Sequence, residues 1–244
     1  MMHMADTVKI NSRNTKMIAH QGLFGLERGN TNLAFVAAGN REKYYGIETD
    51  VHRTSDGKYV CIHDSNTKSV SGLDMDVESS TFEELRSVRL LSVYGEHDLW
   101  DIRIPSLEEY ISICRHYGKK AILELKTPLE DEYVKEIIDI IDKLGHLQDT
   151  IFISFHTQDI LAVRKYLPGH PAQFLTGAWN DEVKQFVLDN KVDIDIAYPG
   201  VTDDIFDEMK DCGLEVNLWT IDDPEIAERF AKHGADYITT NILE

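Results

Sequence analysis

Residues 44–64 read YYGIETDVHRTSDGKYVCIHD, and the fold turns on how they are understood. Tyr44, Tyr45 and Ile47 open an apolar strand. Glu48 and Asp50 then follow two residues apart, a spacing that puts both carboxylates on one face of a strand. A turn at Ser55, Asp56 and Gly57 leads to a second apolar run, Tyr59 to Ile62, which stops at His63 and Asp64. Two strands thus end in ionisable groups rather than in core residues. Crowded carboxylates are costly unless a cation neutralises them, and oxygen ligands of this kind suit a hard divalent ion such as Mg²⁺ or Ca²⁺. Any one of these residues alone reads more simply as a solvated strand end.

Upstream, Lys16 to Ala19 is a short apolar run that halts at His20, Gln21 and Gly22. Leu33, Phe35, Val36 and Ala37 fit one buried helix face, with Thr31 or Asn30 as N-cap and Gly39 as C-cap. Strand, helix and strand in this order make a parallel crossover unit. Downstream, residues 65–104 lose the pattern and are expected to form an insertion near the active face, with some structure of its own. Regular alternation resumes with a helix over Leu107 to Tyr117, where Ser106 and Glu109 form a capping box. The strand from Lys120 to Leu125 again ends in charge, with Glu124 and Lys126 on one face. Further strands open at Thr150, Ala172, Asp193, Leu214 and Ala235, separated by helical segments, the last of which has Pro224 in its first turn. Eight strands joined by helices predict an α/β fold, a (β/α)₈ TIM barrel with a small insertion after the second strand. An open doubly wound sheet is the rival, but the glycine fingerprint that such sheets place after strand one is missing. The expectation is a single domain over 1–244, preceded by a polar, loosely ordered leader of about fifteen residues.

The chain has 244 residues, 42% hydrophobic and 28% charged, and a formal charge of −18. That charge repels nucleic acid and anionic membrane at long range, so neither is an expected partner. Cys61, Cys114 and Cys212 have no paired spacing, which argues against a disulfide framework or a zinc site. There is no apolar run long enough for a secretion signal or a membrane span, and a cytoplasmic location is expected.

In a parallel barrel the active site lies at the C-terminal ends of the strands. His20 ends strand one, Glu48 and Asp50 strand two, His63 the short strand after it, and Glu124 with Lys126 strand three. Three carboxylates supply oxygens for a metal, two imidazoles serve as general base and general acid, and a lysine neutralises phosphate or carboxylate. Metal-assisted hydrolysis of a phosphoester fits this set best. His52 is expected to alternate away from Asp50, toward helices or solvent. His156, after Phe155, reads as a surface loop residue, and His97, His116, His146, His170 and His233 carry no pattern.

The segments IAHQG, NTNLAF, GIETDVHRTSDGKYVCIHD, IPSLEEY, ILELK, NLWTIDDPE and GADYITTNILE resemble the glycerophosphodiester phosphodiesterases along almost the whole chain. The resemblance implies a (β/α)₈ barrel that uses a divalent metal ion to hydrolyse glycerophosphodiesters, a small-molecule substrate, to glycerol 3-phosphate and an alcohol. It implies Glu48, Asp50 and Glu124 as metal ligands, His20 and His63 as the acid–base pair, Lys126 as a phosphate contact and Trp219 as a wall of the substrate pocket. Gln21 stands where the family usually has a phosphate-binding arginine, and an amide cannot replace that charge. Arg28 or Arg53 is the expected compensation. Two other readings follow from the same residues: a phosphodiesterase acting on lysophospholipid or polymer-derived phosphodiesters, and a barrel that binds a phosphodiester without turnover.

Overall fold

The computed structural model describes residues 6–95 and 101–244. The strands are β1 Lys16–Ala19, β2 Tyr44–Arg53, β3 Tyr59–Cys61, β4 Lys120–Leu125, β5 Thr150–Ser154, β6 Ala172–Thr176, β7 Asp193–Ala197, β8 Val216–Trp219 and β9 Tyr237–Thr240. All pair in parallel except β3, which folds back antiparallel on the end of β2. Because β1 pairs with both β2 and β9, the sheet closes into a (β/α)₈ barrel.

The helices are α1 Asn32–Gly39, α2 Lys68–Ser71, α3 Phe82–Ser87, α4 Leu107–Tyr117, α5 Asp131–Lys143, α6 Thr157–Tyr166, α7 Asp181–Asn190, α8 Asp203–Asp211 and α9 Pro224–His233. Thr31 caps α1, and Ser106 with Glu109 closes the expected capping box on α4. Helix faces such as Val134, Ile137, Ile138 and Ile141 of α5 pack on the outward side chains of the strands to form the main core. Inside the barrel a smaller layer of Ile18, Ile122, Ile151, Ile153, Leu175 and Tyr237 fills the cylinder below the rim. The barrel is therefore a packed core with chemistry confined to one end.

The segment after β3 builds a third cluster, in which Val77, Leu85, Val88, Leu90, Ile102 and Ile104 pack against Val60 and Ile62. Residues 96–100 of the expected insertion, including His97, lie outside the described residues.

The leader departs from expectation over its described part. Val8 and Ile10 donate backbone hydrogen bonds to Ile242 and Glu244, and Glu244 donates back to Val8. Both leader side chains pack on the main core beside Ile242 and Leu243. The physical reason is that this two-stranded pairing shields the apolar surface around Ile242 and Leu243 while satisfying the backbone of both segments. Among the described residues no helix is long and apolar enough to cross a membrane.

Candidate active site

Strand register explains why residues far apart in sequence meet. Asp50 of β2 lies level with Glu124 of β4, and Ala19 of β1 lies level with Ile47 of β2, which sets His20 beside Glu48. Glu48, Asp50 and Glu124 are all buried, and one oxygen from each lies within 4.8 Å of the others. Lys126 Nζ stands 2.9 Å from Asp50 Oδ1 and 3.0 Å from Glu124 Oε1. Asn30 donates to Asp50 Oδ2 at 2.6 Å and accepts from Thr49 at 2.6 Å, which fixes the carboxylate plane. The backbone N–H of Gln21 donates to Glu48 Oε2 at 2.7 Å. That amide is aimed by a tight turn in which Gly22 has φ +76°. A Cβ at Gly22 would lie 2.6 Å from the Ala34 backbone, so only glycine lets α1 approach this closely.

The two imidazoles are held differently. His20 Nδ1 lies 2.7 Å from Asn241 Oδ1, Asn241 is itself held by Asp222, and His20 Nε2 is 4.0 Å from Glu48. His63 Nδ1 lies 2.8 Å from Asp64 Oδ1, and Ser69 donates to the other oxygen of Asp64 at 2.6 Å. In each case one ring nitrogen is anchored and the other is left for chemistry, the arrangement a proton-transfer residue needs.

Electrostatics follow from three acids sharing one ammonium. Burial, and then repulsion from Asp50 and Glu124, holds the Glu48 carboxyl well above the usual range. Burial and the neighbouring Asp50 push Glu124 up to about 8. Burial also opposes ionisation of Asp50, but Lys126, His63 and Asn30 outweigh it and leave this carboxyl below its ordinary value. Burial lowers His20, with Asn241 acting against it. The donor set is all oxygen, is closely grouped and, once its three acids ionise, carries more negative charge than Lys126 can balance, so it fits a hard divalent cation.

A pH dependence of stability follows for the metal-free protein. Glu124 and Glu48 bind protons more tightly folded than unfolded, so the native state holds the excess protons and stability falls as pH rises. His20 works in the opposite sense, but only below its unfolded value of 6.5. Between about pH 6.5 and about 8 only the raised carboxyls act, buried Asp195 among them, and Tm in chelator is expected to fall across that window. Thermal melts at constant ionic strength check this, and a rising Tm would contradict the proposed crowding.

His20, Glu48, His63, Glu124, Lys126 and Trp219 line one cavity of about 180 Å³ at the rim, together with Phe155, Asp195 and Thr239. Asp50 lies beneath it within the acid cluster. The Gln21 side chain is not part of that lining, and its Oε1 would sit 2.6 Å from a Cβ at Gly29. Neither arginine substitutes for the missing charge. Arg28 donates to the carbonyls of Leu91 and Ser92, and Arg53 stacks 3.8 Å over the Tyr133 ring. Among the described residues lining the cavity, Lys126 is the only permanent cation. A larger open groove of about 700 Å³, between Tyr198, Asp203, Glu225 and Arg229, brings together no comparable set.

His52 corrects the expectation made for it. It is two residues beyond Asp50 and so shares its face. It is 1% exposed, lies 3.5 Å from Glu78 and is capped by the His63 carbonyl at 3.4 Å. Glu78 of the insertion and the His63 carbonyl cover the end of β2, where the barrel helices or solvent were expected. Asn30, Asn241 and Asp195 were not singled out as site residues. Asn30 read as a possible helix cap, a role that Thr31 fills. Asp195 had a visible signal, since DIDIA in β7 alternates with the acids inward and Ile194 and Ile196 in the outer core.

A parallel barrel with acids, imidazoles and an ammonium gathered at its C-terminal rim defines a class of hydrolytic (β/α)₈ enzymes. The model of the glycerophosphoryl diester phosphodiesterase family matches residues 20–244. The chain therefore belongs to that family, and it is a phosphoric diester hydrolase. It is 28% identical over 235 residues to the uncharacterized protein YqiK of Bacillus subtilis (strain 168), spanning 94% of this chain and 96% of that one. It is 26% identical over 230 residues to the glycerophosphodiester phosphodiesterase of Caldanaerobacter subterraneus subsp. tengcongensis, spanning 93% and 94%. The fold is also that of an Oleispira antarctica phosphodiesterase solved in complex with the product sn-glycerol-3-phosphate, with a TM-score of 0.85, 21% identity and 96% of each chain covered.

Proposed function

We propose that this chain hydrolyses glycerophosphodiesters to sn-glycerol 3-phosphate and an alcohol, with a divalent cation held by Glu48, Asp50 and Glu124 and with His20 and His63 as the acid–base pair. The observation that carries this reading is the grouping of three buried carboxylate oxygens within 4.8 Å, beside His20 and Lys126 in one cavity. When bound, the cation supplies Lewis-acid stabilisation of negative charge on the non-bridging phosphate oxygens. Lys126, which lies beside Asp50 and Glu124 on the cavity wall, would offer its ammonium to the phosphate. One imidazole removes a proton from the attacking water or substrate hydroxyl, and the other protonates the departing alkoxide. Asn241 and Asp64 hold the anchored ring nitrogens so that each proton moves through Nε2.

Family membership and the similarity to the Caldanaerobacter enzyme support glycerophosphodiesters as the substrate class. The test is release of choline and sn-glycerol 3-phosphate from glycerophosphocholine by the purified protein. Turnover is expected with a hard divalent cation present. Absence of both products would reject the substrate assignment.

A further inference from the structure

The wall of the cavity opposite the acids is built from β6, β7, β8 and β9, and it is polar where a barrel interior is usually apolar. Asn217 donates to Gln173 at 3.2 Å and accepts from Thr239 at 3.1 Å, so these three side chains satisfy one another. Two atoms beside them are left over. Asp195 Oδ1 is buried without a hydrogen-bond partner in a residue only 2% exposed, and Trp219 Nε1 is buried without one as well. Both residues line the cavity that holds His20, Glu48 and Lys126. A buried acceptor and a buried donor, on two residues that line one small cavity, are costly unless a ligand answers both.

The chemistry of that ligand is restricted. An ammonium only donates and leaves the indole N–H unanswered. A phosphate oxygen only accepts and leaves the acceptor Asp195 Oδ1 unanswered. A hydroxyl accepts from an N–H and donates to a carboxyl oxygen at the same time. We propose that Asp195 and Trp219 form a specificity subsite for the terminal hydroxyl of the substrate's glyceryl half, which accepts from Trp219 Nε1 and donates to Asp195 Oδ1. The cavity of about 180 Å³ suits a small polyol fragment rather than a bulky leaving group. Burial pushes Asp195 up to about 8, so near neutral pH it adds little negative charge facing the phosphate. Such a subsite makes the enzyme select for the glyceryl side of the diester while leaving the alcohol open. This inference rests on the phosphodiester reaction proposed above.

The experiment compares kcat/KM for glycerophosphocholine with that for its analogue lacking the terminal glyceryl hydroxyl, which leaves any attack by the 2-hydroxyl intact, and the choline half carries no hydroxyl in either. Wild-type enzyme is expected to favour the natural diol by about tenfold or more. In Asp195→Leu that ratio falls toward one, and Asp195→Asn, which keeps an acceptor oxygen, restores most of it. Trp219→Phe removes the donor, keeps the ring and lowers the ratio too, so it decides the matter if the leucine variant does not fold. Equal rates on both substrates in wild type, or discrimination that persists in folded Asp195→Leu or Trp219→Phe, would overturn the subsite while leaving the hydrolase reading intact. Loss of activity in Asp195→Leu confined to choline esters would assign the acid to the ammonium and overturn it equally. A wild type inert on both substrates would reject the reaction and the subsite together.

Discussion

His20→Ala and His63→Ala are each expected to lower kcat on glycerophosphocholine by about two to four orders of magnitude, the usual size of a positioned proton-transfer contribution. Both rings are anchored through Nδ1, by Asn241 and by Asp64, and both face the cavity above the acid cluster. The two losses are separable by leaving group. 4-Nitrophenolate departs without a proton, so on bis(4-nitrophenyl) phosphate the variant lacking the general acid loses much less than it does on glycerophosphocholine. The variant lacking the base loses as much on either substrate. Circular dichroism establishes that both variants fold. If either folded variant retained near-native turnover on both substrates, that imidazole would have no part in proton transfer.

Conservative neutralisation of the acids is expected to separate activity from stability. Asp50→Asn and Glu124→Gln each remove a carboxylate from the set that holds the cation, and kcat/KM falls by about a thousandfold or more, since a Lewis acid of this kind supplies several kcal/mol. Their effects on the metal-free fold have opposite signs. Glu124 is pushed up to about 8, so above that pH its charge strains the native state, and Glu124→Gln is expected to raise stability there by about 1–3 kcal/mol. Asp50 lies below its ordinary value through Lys126, His63 and Asn30, and Asp50→Asn removes a stabilised charge and lowers stability. Denaturant melts in chelator at pH 9 read both. Equal shifts of one sign would contradict the division of roles within the cluster.

Much of this architecture is written locally. Apolar runs that stop at charged residues marked the ends of β1, β2 and β4, and alternation with helical segments gave the parallel order that the closed sheet realises. His20, Glu48, Asp50, His63, Glu124 and Lys126 were legible as a candidate set only jointly, because each alone reads as a solvated strand end while all six fall at the ends of neighbouring strands on one rim. What was not legible depends on contacts between distant segments. Asn30 reaches Asp50 because the turn after β1 carries it back over β2, and Asn241 reaches His20 because β9 closes on β1. The cover over His52 comes from Glu78 and the His63 carbonyl, beyond any periodicity of β2. The ordered leader likewise depends on pairing between opposite ends of the chain. Asp195 is the exception, because strict Asp–Ile alternation in β7 announced an acid inside the barrel.

Activity is expected to depend on one ion shared by Glu48, Asp50 and Glu124, and the direct measurement is glycerophosphocholine turnover before chelation, after exhaustive EDTA treatment and after titration with a hard divalent cation. Turnover lost in EDTA and restored as one ion binds per chain is the predicted result. Undiminished turnover in the chelated, cation-free enzyme would contradict it.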